Sequence, residues 1–143
     1  MDKDVPKVGW IVEHYFLWAD EKTGGQIEGR KPRPCIIIAV ENQAQGQPRV
    51  TVLPITSSPP APGVEAVAIP NPLKQSICLE ADRPSWIVVD DANVFTWPGY
   101  DLVRQPHGSF MRGMVTAGFF TQLREVILSV HGTGKPKLIE RDH

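Results

Sequence analysis

The sequence predicts a mainly β domain closed by one C-terminal helix, an α+β fold. Three observations lead there. Fourteen prolines and twelve glycines punctuate the 143 residues. Between them lie short apolar runs rich in valine and isoleucine, the texture of strands joined by loops. Only one stretch, late in the chain, repeats apolar residues at helical spacing. The length suits a single domain over 1–143 with one real hydrophobic core.

Val8 to Leu17 (VGWIVEHYFL) reads as a first strand with Glu13 and His14 inside it. Residues 19–34 are polar and contain Gly24, Gly25 and Gly29, so they form a long loop. Cys35 to Val40 (CIIIAV) is a continuous β-branched run, the pattern of a strand buried on both faces. Glu41 to Pro48 is a polar hairpin connection. Arg49 to Ile55 is the next strand, with Pro54 marking an edge or a bulge at its end.

Thr56 to Gly63 (TSSPPAPG) excludes regular structure. Val64 to Ile69 is a further strand candidate. Ser85 to Asp90 (SWIVVD) is a strand that Asp91 to Phe95 continues or bends. A turn at Trp97 to Tyr100 precedes a short edge strand at Leu102 and Val103. Thr116 to His131 is the helix, with Phe119, Leu123, Val126, Ile127 and Val130 on one stripe. Thr116 suits the N-cap and Gly132 the stop. The basic tail from Lys135 reads as frayed. The sum is a small, strongly bent sheet or barrel with a terminal helix.

Hydrophobic residues make up 41% and charged residues 22%, the balance of a globular chain. No apolar stretch approaches the roughly 20 residues that cross a bilayer. The opening Met1-Asp2-Lys3-Asp4 lacks a signal-peptide core, so the expected location is cytoplasmic, with no membrane contact. Cys35 and Cys78 sit among apolar residues and read as buried thiols. His107, His131 and His143 show no metal-ligand spacing, and neither a phosphate loop nor a nucleophile elbow occurs. No metal and no cofactor is expected. The net charge of -1 provides no field to steer nucleic acid, so any such contact must use local basic groups.

One local group stands out. In "GRKPRPCIIIAV", Arg30, Lys31 and Arg33 gather at the mouth of the strand from Cys35. Pro34 restricts Arg33 to extended backbone angles and so helps aim its side chain. Such a cluster is either a solvated loop or an anion site. Downstream, "VTVLPITSSPP" ends the next strand on Thr56 and Ser57.

The Arg-Pro and Thr-Ser pair, followed by "SWIVVDDANVF" and a terminal amphipathic helix, resembles the PemK/MazF-like family of toxin endoribonucleases. The resemblance covers about residues 8–131. It implies a small SH3-like barrel of the PemK/MazF/CcdB type, a homodimer and a cognate antitoxin protein. It also implies metal-independent cleavage of single-stranded RNA. Arg33 falls on the family's catalytic arginine and Thr56 on its active-site hydroxyl, with Ser57 beside it.

The chemistry suits those residue types. RNA is cut without metal when its own 2′-OH attacks the adjacent phosphate. A base takes the proton, a cation steadies the anionic phosphorane, and the leaving oxygen is protonated. A guanidinium fork fits the second task. Arg30 and Lys31 are auxiliary contacts. His14, with an ordinary pKa near 6.5, and Glu28 are the candidate bases. Gln26 occupies the place of the family's usual acidic residue, with Glu28 two positions on. Asn93 or its neighbours stand where many members carry an arginine, and Asn93 offers a donor to a base edge or phosphate.

Of four tryptophans, Trp10 and Trp86 read as core. Trp18 and Trp97 flank loops and are candidates for RNA stacking. Barrels of the CcdB type bind gyrase and cut no RNA. A catalytically inactive binding module that contacts RNA or a protein partner is therefore the alternative function.

Overall fold

The computed structural model describes residues 5–18, 32–43, 46–77, 79, 82–99, 101–131 and 137–140. Among them are nine strands and two helices. The strands are β1 (Trp10–His14), β2 (Arg33–Glu41), β3 (Arg49–Thr56), β4 (Ala66–Ala68), β5 (Trp86–Val88), β6 (Asp91–Thr96), β7 (Leu102–Val103), β8 (Gly113–Met114) and β9 (Lys137–Glu140). Helix α1 (Asn71–Ser76) lies between β4 and β5, and α2 (Ala117–His131) between β8 and β9. The protein is mainly β with a C-terminal helix, as the residue pattern predicts. Among the described residues no helix is long and apolar enough to cross a membrane.

The centre of the sheet is the antiparallel pair β2–β3, with Cys35 opposite Pro54 and a register shift between Ile37 and Ala39. The free edge of β3 is covered by β6 along Arg49 to Val52 and by β5 at Ile55 and Thr56. Residues 86–96 thus follow β3 almost from end to end and break at Val89 and Asp90, so the expected continuation is a bent one. On the other side β1 pairs with β2, and its outer edge is shared by β7 and β8. β4 covers β5, and β9 lies parallel to β6. Among the described residues these pairings form an open, mainly antiparallel sheet.

The sheet buries both faces. Alternation sends Ile11 to one side and Trp10, Val12 and His14 to the other. Ile11, Ile36, Leu53, Ile55 and Ile87 pack against Phe119, Leu123 and Ile127 of α2. Val126 and Val130 join that cluster as partly buried neighbours, which completes the anticipated stripe. Trp10, Phe16, Phe95, Trp97 and Phe110 fill the opposite face around Val12, Cys35, Ile37, Val50 and Val52. The unbroken apolar run of β2 therefore serves two cores. Thr116 Oγ1 accepts the Phe119 N–H at 3.1 Å and caps α2.

Four elements depart from expectation, one of them β8, which forms where no strand was expected. The first strand ends at His14 instead of Leu17, because Tyr15 turns its N–H to the Asp101 carbonyl at 2.9 Å. Helix α1 falls in a stretch with no assigned element, being too short for a periodic stripe. The tail, expected to fray, forms β9 on β6; four residues carry no signal for a partner so distant in sequence.

Candidate functional site: an arginine-lined pocket

Arg33 opens β2 and Thr56 closes β3. The pairing of Cys35 with Pro54, continued by two residues, sets Arg33 opposite Thr56. Two distant motifs thus meet at one end of the central strand pair. Arg112 arrives from the residue before β8, its N–H bonded to the Ile11 carbonyl at 2.7 Å. β8 passes hard against the end of α1: a Cβ at Gly113 would stand 2.7 Å from the Ser76 carbonyl oxygen. Arg83 and Ser85 come from the approach to β5.

Together these residues line an open pocket of about 260 Å³ with Ser57, Pro32 and Pro34. The Arg33 guanidinium lies over the Trp18 ring, 5.5 Å from its centroid. Trp18 in turn meets Phe16 edge-on at 5.2 Å. Arg112 Nη1 is 3.6 Å from Glu13 Oε2, and Gln105 Nε2 donates to Glu13 Oε1 at 2.8 Å. No carboxylate pairs with Arg33 or Arg83 among the described residues. Thr56 Oγ1 accepts the Ser58 N–H at 3.1 Å, the turn that opens the proline-rich loop. Its own O–H is left to donate elsewhere. Three guanidiniums and three hydroxyl side chains around one opening suit a phosphate-like anion.

The other candidates lie elsewhere. His14 is fully buried and stacks on Phe95, with ring centroids 4.8 Å apart and planes 14° from parallel. Its register partner is Arg33, yet only Arg33 lies where the sheet opens. Asn93, expected to reach substrate, is also fully buried. Its Oδ1 accepts the Leu17 N–H at 3.0 Å and lies 3.1 Å from His14 Nε2, while its Nδ2 donates to the Leu17 carbonyl at 2.9 Å. The amide is committed to holding the chain beyond β1.

Trp97, the other expected stacking ring, is core instead, edge-on to Trp10 at 6.3 Å and Phe110 at 5.4 Å. Trp86, expected in the core, is only half-buried. Trp18 is half-buried beside the pocket, under Arg33. Glu28, Arg30 and Lys31 lie outside the described residues. Cys35 is buried as expected, and desolvation pushes its thiol far above the ordinary range against the lowering pull of Arg33. It stays protonated and carries no nucleophile.

Arg83 and Arg112 were not anticipated. A usable signal existed for the first: "DRPSW" repeats the Arg-Pro step at a strand mouth seen in "PRPC". Arg112 carries no such mark and is brought in only by the pairing of β8 with β1. Comparison with models of known families, with curated proteins and with solved structures finds no match.

Proposed function

We propose that this pocket binds a phosphodiester of single-stranded RNA and cuts it, as in a toxin-like endoribonuclease of the PemK/MazF type. The carrying observation is the convergence of Arg33, Arg83 and Arg112 with the Thr56 and Ser57 hydroxyls at one opening. In this reading the bent sheet is that family's small barrel, the protein is a homodimer, and an antitoxin protein covers the pocket.

The 2′-oxygen attacks phosphorus and the bond to the 5′-oxygen breaks. The products are a 2′,3′-cyclic phosphate and a 5′-hydroxyl. Arg33, placed over Trp18, and Arg83 neutralise the charge that builds on the non-bridging oxygens. Thr56 donates to one of them. Glu28 is the proposed acceptor of the 2′-OH proton, since burial keeps His14 from the pocket. The leaving 5′-oxygen takes a proton in return.

That burial also favours a second reading, a module that binds RNA or a protein partner through the same arginines without cutting. One experiment separates them. Purified protein and its Arg33→Ala variant are incubated with a long single-stranded RNA in EDTA, and the ends are mapped. Cleavage leaving cyclic phosphate, slowed about 10²–10³-fold in the variant, is the expected result. A folded protein that binds the RNA and leaves it whole sinks the nuclease and keeps the module.

A further inference from the structure

A second pocket of about 310 Å³ adjoins the first, lined by Ala68, Asn71, Lys74, Asp82 and Trp86. Arg83 and Ser85 line both, so they form the wall between the two. The strand register makes the same connection. Thr56 pairs with Trp86, and Trp86 pairs with Ala68. Directly opposed residues project to the same face, so these three form a row from the first pocket into the second. Neighbouring strands lie about 4.8 Å apart, and two such steps span about 10 Å.

The chemistry of the wall is specific. Lys74 is only 2% exposed. Its Nζ donates to the Arg83 carbonyl, its one hydrogen-bond acceptor among the described residues. An ammonium has three donors, and a buried charge is costly without partners. The same bond fixes the backbone from which the Arg83 side chain reaches out. Beyond the wall stands Trp86, half-buried in an open pocket where an aromatic ring can stack an unpaired base. Asn71, exposed on the rim, can both donate to and accept from a base edge.

We infer that the second pocket is a nucleobase subsite, holding on Trp86 the base next to the phosphate gripped by Arg33. Lys74 and Arg83 then supply positive charge where that nucleotide's backbone crosses the wall. The inference rests on the single-stranded RNA reading of the first pocket, and it assigns the neighbouring pocket a separate task.

The test uses the full chain and a labelled 2′-O-methyl RNA oligonucleotide, whose capped 2′-oxygen cannot attack. Binding is read by fluorescence anisotropy, and inorganic phosphate competes for the first pocket. Trp86→Leu is expected to weaken oligonucleotide binding on the order of tenfold. Phosphate competition stays unchanged, which also reports an intact fold. Trp86→Phe restores most of the loss, and Arg33→Ala weakens both ligands. Ala68→Gln, which adds bulk on the exposed edge strand, gives an independent check and should weaken the oligonucleotide alone. Should Trp86→Leu and Ala68→Gln bind the oligonucleotide like wild type while Arg33→Ala does not, the subsite is overturned and the phosphate pocket stands. If wild type binds phosphate and no oligonucleotide, or neither, both readings fall.

Discussion

On the face toward α2, Ile11, Ile36, Leu53, Ile87 and Leu123 meet in a mainly aliphatic core, with Phe119 beside them. On the opposite face, aromatic rings surround His14 and Asn93, and the Asn93 amide holds the backbone at Leu17 from both sides. The first core needs only volume and apolar surface, so many sequences would satisfy it. The second holds polar groups that water cannot reach, and each needs a particular partner. The pocket lies where the two faces end: Arg33 reaches it beside Trp18 and the aromatic cluster, Ile55 and Leu79 from the α2 side. Arg33 is the pocket residue that touches the aromatic side, through Trp18.

The strongest test of that contrast truncates one large side chain on each face. Phe95→Ala should cost about 3–5 kcal/mol and Leu123→Ala about 2–5 kcal/mol, read by chemical denaturation. The faces should differ in what else is lost: only Phe95→Ala removes the ring on which His14 stacks. Its histidine resonances should move, while those of Leu123→Ala keep their wild-type shifts. Equal histidine shifts in both variants would erase the distinction.

A smaller effect sharpens the point. Asn93→Ala leaves the Leu17 N–H and carbonyl without their side-chain partner, at a cost of about 1–3 kcal/mol. Most of this should arise as local opening, seen as faster amide exchange at Leu17. Unchanged exchange there would show that the amide does not hold the segment. The smallest effect concerns Cys35 between the arginine and the core. Its folded pKa is raised by burial, so above the ordinary thiol pKa of about 8.5 the unfolded chain releases a proton that the folded chain keeps. The contribution is full below that pH and falls by at most about 1.4 kcal/mol per pH unit above it. Cys35→Ala should flatten this alkaline slope in denaturation at pH 8–10, and an identical slope would refute the assignment.

The strands rich in isoleucine and valine and the helix with its stripe were legible, because burial leaves its period in the residue order. The meeting of Arg33 with Thr56 was legible too, through motifs that end two adjacent strands. Asn93 and Trp97 misled for a shared reason. A polar or aromatic side chain has the same local context whether it faces solvent or closes a core. Only tertiary partners such as Leu17 and Phe110 decide. Arg112 was invisible because its place depends on Gly113 slipping past α1, a contact between segments unrelated in local pattern.

The parallel pairing of β9 with β6 also bears on how the chain comes into being. A parallel partner cannot arrive through a hairpin; it needs a crossover, and here the connection includes α2. During synthesis the outer edge of β6 must wait until Lys137 to Glu140 have been made. At about 5–20 residues per second the delay is roughly 2–9 s. The edge of β6 is thus closed by a strand made only after α2.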